Sequence, residues 1–131
     1  MSPVTIGMTA TATTTVVTEN TAKVMKSGAF DVFATPAMCA LMEEAAQAAV
    51  APALEAGQGT VGISLSITHV VPSPLCATIT ATAEVTAVDG RKITFHIEAN
   101  DGHGSIGKGT HERFIIDNEK FMAKVAQKAA K

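Results

Sequence analysis

The sequence predicts an α+β fold in which one antiparallel sheet wraps around a single long helix, and three observations predict it. Residues 35–51 are a run of strong helix formers, apolar around most of the helical wheel. From residue 61 onward the hydrophobic period is two rather than helical. Turn signals at Asp89-Gly90 and Asn100-Asp101-Gly102 divide that region into segments of strand length. An apolar helix needs a sheet to cover it, and consecutive strands joined by short turns pair as a meander.

The elements follow in order. Residues 9–18 (TATATTTVVT) are rich in β-branched side chains and read as a first strand. Residues 19–34 read as irregular, with a turn at Ser27-Gly28. Thr35-Pro36 reads as an N-cap followed by Pro at the first helical position, and Pro52 stops the helix near Ala51. An apolar wheel predicts a buried helix, with Glu43 and Glu44 as its polar exceptions. After the turn at residues 57–59, Val61, Ile63, Leu65 and Ile67 alternate with Gly62, Ser64, Ser66 and Thr68, placing the two sets on opposite faces. Ile79, Ala81, Ala83 and Val85 form the next apolar face. Asp89-Gly90 predicts a type I′ hairpin into Ile93, Phe95, Ile97 and Ala99. Residues 105–116 make a last strand. Residues 117–129 make a closing helix with Phe121, Val125 and Met122 on its apolar side. A curved sheet around one central helix is the hotdog fold, and a second copy would cover its remaining edge and helix surface.

Length and composition narrow the function. The 131 residues fit one domain, 1–131. Apolar residues make up 47%, with no Trp, no Tyr and five Phe, so the core is built from small aliphatic side chains. Net charge is -2, and no basic cluster interleaves with aromatics, which argues against nucleic acid as a partner. Cys39 and Cys76 lack metal or redox spacing and read as hydrophobes in a reducing compartment. The N-terminal residues show no signal-peptide pattern, and no apolar run reaches the ~20 residues of a membrane span, so a cytoplasmic protein without a membrane partner is expected. His96, His103 and His111 have no metal-ligand spacing, and no metal is expected. Lys120, Lys124, Lys128 and Lys131 read as a solvated helix face.

Three residues carry candidate chemistry. Glu43 is a carboxylate in an apolar helix, where burial makes a stronger base; its bland reading is a side chain facing solvent. His69 continues the odd-numbered parity of the apolar strand face, which also suits a core histidine. Thr35 reads as a cap, at a helix start whose free N–H groups suit a developing oxyanion. Thr35, Cys39 and Glu43 are spaced by four and share one side of the helix, where a substrate lying along it would touch both Thr35 and Glu43.

Residues 32–43 (VFATPAMCALME), the turn at 57–59, Thr68-His69, residues 107–113 (GKGTHER) and residues 119–128 (EKFMAKVAQK) resemble the fluoroacetyl-CoA thioesterase family of the hotdog superfamily. The resemblance spans about residues 29–128. It implies a homodimer or higher homo-oligomer that hydrolyses a small acyl-CoA, with coenzyme A as part of the substrate and no cofactor. It places the catalytic residues at Thr35, Glu43 and His69, and substrate contacts at Gly62 and Arg113. The aromatic segment before the helix corresponds to residues 26–31 (KSGAFD), where Phe30 is the one aromatic and a substrate contact. That segment is shorter here, and Pro36 stands where a Gly is expected, so the expected substrate is a small acyl-CoA rather than fluoroacetyl-CoA in particular. Two alternatives are an enoyl-thioester hydratase or dehydratase on the same fold, and a non-catalytic acyl-CoA-binding module.

Overall fold

The computed structural model describes residues 3–130; Met1, Ser2 and Lys131, the last of the lysine series, lie outside the described residues. The order is β1 (Thr9–Thr15), a 3-10 turn (Thr18–Asn20), α1 (Ala22–Met25), α2 (Thr35–Val50), a 3-10 turn (Ala51–Ala53), β2 (Gln58–His69), β3 (Thr78–Asp89), β4 (Lys92–Asn100), β5 (Ser105–Asp117) and α3 (Asn118–Ala129). The expected helix and five strands are all present, and two short helical turns occupy part of the stretch expected to be irregular.

One antiparallel sheet has the order β1-β3-β4-β5-β2. The expected meander therefore holds for β3, β4 and β5 only. β2 pairs with β5 rather than with its sequence neighbour β3. The connection, residues 70–77, contains Pro72 and Pro74 and is too long for a tight hairpin, so the two strands are free to part. The β3–β4 hairpin forms at the predicted place, with Gly90 at φ 61° and Arg91 not at positive φ. That is the pattern of a type II′ turn, which needs positive φ only at its first central residue, rather than the type I′ turn expected.

The core lies between α2 and the concave face of the sheet. Met38, Leu41, Met42, Ala45, Ala46, Ala49 and Val50 are buried from the helix side. Ile79, Ala81, Ala83, Val85, Ile93, Phe95, Ile97 and Ala99 meet them from β3 and β4. Each large aliphatic side chain buried there stabilises the fold by roughly 1.5–3 kcal/mol. Opposite this face, Ala40, Glu44, Gln47 and Ala48 are exposed. The helix is thus buried on one side within the chain, not all round as its composition suggested, because the outer side is apolar only through alanine. On α3, Phe121 is half-buried, while Met122 and Val125 are exposed and do not form the packed apolar side expected of them.

A β-bulge in β2 corrects the predicted alternation. The register passes from Gly62↔Arg113 to Ser64↔Glu112, leaving Ile63 as an extra residue. One inserted residue reverses the parity of a strand. Leu65, Ile67 and His69 keep the inner face, Thr60 and Gly62 join it, and Ile63 turns outward at 51% exposure.

The glycines of residues 107–113 permit a close approach. A Cβ on Gly109 would run into the Ser66 carbonyl oxygen and the Ile67 backbone, and one on Gly107 would meet the Thr68 carbonyl and the Met38 side chain. Backbone neighbours do not yield cheaply. Gly109→Ala is expected to destabilise the fold by about 1–3 kcal/mol, and the exposed Lys108→Ala by less than about 0.5 kcal/mol, measured by denaturant unfolding. Equal stability of the two variants would contradict this account.

Candidate active site

The site residues fall into two groups along one side of α2. The first lies at the helix start. The cap residue is Ala34, extended at φ -76° and ψ 140°, and Thr35 is the first helical residue rather than the expected N-cap. Its hydroxyl is therefore free of capping and lies 2.7 Å from His69 Nδ1 at the end of β2. His69 Nε2 is buried and has no hydrogen-bond partner. Burial pushes the His69 pKa below its ordinary value, so the ring is favoured in its neutral form. Thr35, His69, Val70, Val71 and Phe33 help line a cleft of about 210 Å³. Pro36, which has no N–H, leaves the amides of Thr35 and Ala37 as the first-turn donors that the helix itself cannot pair.

The second group lies two helical turns further on. Glu43 Oε2 is 3.3 Å from Arg113 Nη1 and 4.0 Å from His111 Nε2. The Glu43 carboxylate is 41% exposed, not buried as its helix suggested, and it is held by an ion pair. Arg113 comes from the inner face of β5 and is 4% exposed. Its Nε donates to Thr60 Oγ1 at 2.8 Å and its Nη2 to the Thr60 carbonyl at 2.9 Å. Nη1 donates to Glu43 and also to His111 Nε2 at 3.2 Å. Burial lowers the Arg113 pKa and the Glu43 carboxylate opposes that shift, so the guanidinium stays charged.

Gly62 completes this group. A Cβ there would stand 2.6 Å from Glu43 Oε2 and 3.4 Å from Arg113 Nη1. Its missing side chain leaves open the space in front of the carboxylate. Alternation alone put Gly62 on the outer face, and the bulge at Ile63 brings it inward.

Thus Thr35 joins His69, and Glu43 joins Arg113 and Gly62. Thr35 and Glu43 are eight residues apart, about 12 Å along the helix axis at 1.5 Å per residue. Phe30 is joined to neither group, at 73% exposure in the loop before α2. Thr60 and His111 were not singled out from sequence. For His111 a signal existed: it is two residues from Arg113 on one strand, so the two share a face.

Buried His111 and half-buried His69 set a pH dependence. His69 and His111 both have pKa values lowered from an ordinary 6.5, mainly by burial. Below 6.5 the unfolded chain takes up protons that the folded chain refuses, so stability falls as pH drops through that range and is unaffected above it. Glu98 and Asp101, lowered by hydrogen bonds to Ser105 and to the His103 backbone respectively, add losses only below their ordinary 4.5 and 3.8. The melting temperature should be level from pH 8 to 7 and fall between pH 6.5 and 5. A level profile across that lower window would contradict burial of these rings as neutral species.

Comparison with known proteins gives a consistent picture. The sequence model of a family described as fluoroacetyl-CoA-specific thioesterase matches residues 16–119. A fluoroacetyl-CoA thioesterase of Streptantibioticus cattleyicolor is 48% identical over 98 residues, covering 75% of this chain and 70% of that relative. A solved structure of the fluoroacetyl-CoA thioesterase FlK matches with a TM-score of 0.89 at 39% identity, covering 95% of this chain and 97% of that one. A point mutant of FlK in complex with fluoroacetate and CoA matches with a TM-score of 0.84 at 38% identity, covering 90% of this chain and 99% of that one. The chain belongs to the fluoroacetyl-CoA-specific thioesterase family and has the hotdog fold.

Proposed function

We propose that this protein hydrolyses the thioester of a small acyl-CoA, with Glu43, Thr35 and His69 as its catalytic residues and water as the only co-reactant. The observation that carries this reading is the Glu43 carboxylate, anchored through Oε2 by Arg113 and facing the space left by Gly62. Among the described residues Oε1 has no hydrogen-bond partner and is free to act. It either attacks the thioester carbon directly or takes the proton from an attacking water. With water as the attacker, the C–S bond breaks and the acid takes the water oxygen at once. In direct attack the C–S bond breaks as a Glu43–acyl anhydride forms, and water then opens that anhydride at the Glu43 carbonyl carbon, so the first acid leaves with a Glu43 oxygen. The thiolate takes the proton that water gives up, and the neutral His69, with Thr35 donating to Nδ1, holds the leaving sulfur through Nε2–H and assists that transfer. The α2 start adds amide donors for the carbonyl oxygen as it becomes negative. Arg113 and Gly62 shape the acyl end. Phe30, exposed in the loop before α2, is the side chain assigned to the CoA thioester outside the cleft. No cofactor or metal enters this scheme.

A second copy of the chain completes the site in this reading. β2 is an edge strand of twelve residues, open on the side away from β5, with Ile63 exposed upon it. So long an edge invites strand pairing. Two β2 edges pairing about a two-fold axis run antiparallel, so the His69 end of one lies beside the Gly62 end of the other. That brings the Thr35–His69 group of one copy toward the Glu43–Arg113 group of its mate. It also covers the alanine-rich outer side of α2. The same reading places the protein in the cytoplasm, where the unpaired Cys39 and Cys76 stay reduced.

Thiol release from acetyl-, fluoroacetyl-, propionyl-, medium-chain and benzoyl-CoA tests the activity. Wild type should release thiol and Glu43→Gln should lose at least about 100-fold in kcat with an unchanged melting temperature. Near wild-type turnover by Glu43→Gln would remove Glu43 from the chemistry, and an altered acyl chain without free thiol would indicate a hydratase. A single turnover in oxygen-18 water separates the two roles of Glu43, since direct attack puts an enzyme oxygen into the first acid released. Light scattering at micromolar concentration should give at least a dimer. Inactive Thr35→Ala and Glu43→Gln proteins should regain activity when mixed and refolded together. A monomeric mass, or no recovery from demonstrated heterodimers, would refute the shared site.

A further inference from the structure

His111 lies outside the catalytic trio, yet it is the most enclosed polar side chain of the site, at 1% exposure. Its two nitrogens face partners of opposite kind. Nδ1 is 2.8 Å from the Ser64 carbonyl oxygen, which only accepts. Nε2 is 3.2 Å from Arg113 Nη1, which only donates. Only one form of the ring satisfies both, with the proton on Nδ1 and a lone pair on Nε2. The ring stacks on Phe95 with centroids 5.9 Å apart and an interplanar angle of 28°, so its plane is held as well. The two protons of Nη1 are then divided between His111 and Glu43.

We propose that His111 is a positioning residue: as a neutral acceptor it sets the guanidinium of Arg113 in the orientation that anchors Glu43. The proposal rests on Glu43 being the working carboxylate. The groups facing the ring define how it responds to acid. They are Glu43 from α2, the Ser64 carbonyl from β2, Phe95 from β4, and Arg113 and Glu112 from β5. Protonation puts an N–H on Nε2, opposed to the Arg113 N–H and 4.0 Å from Glu43. The imidazolium then competes with Arg113 for the carboxylate, and the anchored geometry is lost. Burial disfavours that form most and Arg113 adds to it, while the Ser64 carbonyl, Glu43 and Glu112 favour it without reversing the balance.

The test compares His111→Gln and His111→Leu with wild type. Gln carries an acceptor oxygen near the Nε2 position, and Leu carries none. In acyl-CoA hydrolysis from pH 5.5 to 8.5, Leu should lower kcat on the order of 10- to 100-fold, with a smaller change in KM. Gln should recover most of that loss, and its kcat should fall less than that of wild type below pH 6.5. Nitrogen-15 spectra of the wild-type imidazoles read the ring directly and do not depend on a variant folding. They should show His111 protonated on Nδ1 and bare on Nε2 at pH 7. Wild-type kcat in Leu, no advantage of Gln over Leu, or a proton on Nε2 at pH 7 would each overturn the proposal. Full activity in Glu43→Gln would instead sink the functional reading, a result that the imidazole spectra tell apart.

Discussion

A buried guanidinium organises this molecule's site. Taking a cation out of water costs several kcal/mol unless its protons find acceptors. Arg113 is placed on the inner face of β5 by strand alternation, and four of its five N–H groups are answered. Thr60 takes two through its hydroxyl and carbonyl, His111 takes one, and Glu43 takes one. These partners come from β2, β5 and α2, so the charge ties the helix to two strands at one point. The ion pair alone is modest evidence for stability, because Glu43 is partly exposed and solvent screens it. Its consequence is geometric: one carboxylate oxygen is committed and the other is left free.

The bulge at Ile63 makes that geometry possible. Without the extra residue, Gly62 would point away from the helix, and an inner-face side chain would crowd Glu43. With it, one strand serves two ends of the site in different phase. Thr60 and Gly62 attend Arg113 and Glu43 before the bulge; His69 attends Thr35 after it. The cost is an outward Ile63 on an open edge. The β2 edge is unpaired in the single chain, and the outer side of α2, with Ala40, Glu44, Gln47 and Ala48, is left uncovered.

Much of this was legible in the residues. The helix limits follow from Pro36 and Pro52, and the strand limits from alternation and Gly-bearing turns, because these are local effects of backbone sterics and side-chain direction. Glu43, Thr35 and His69 were reachable as candidates, since their residue types are conspicuous in their settings. The family resemblance added Gly62 and Arg113, which alternation could not place. His111 and Thr60 were missed because their importance comes from what they touch across strands, and a partner 47 or 53 positions away leaves no local trace.

The sequence by itself determined the element types, the order of helix and strands, the apolar faces of β3 and β4, and the chemical inventory of the site. These depend on interactions within a few residues, or on a period that side chains state directly. Only the tertiary structure decided that β2 leaves β3 for β5, that Ile63 is bulged outward, and that Thr35 turns from capping to His69. The same holds for Arg113 sharing its protons between His111 and Glu43. Each is a choice among pairings of similar local cost, made by which arrangement buries the helix and satisfies the buried polar groups together.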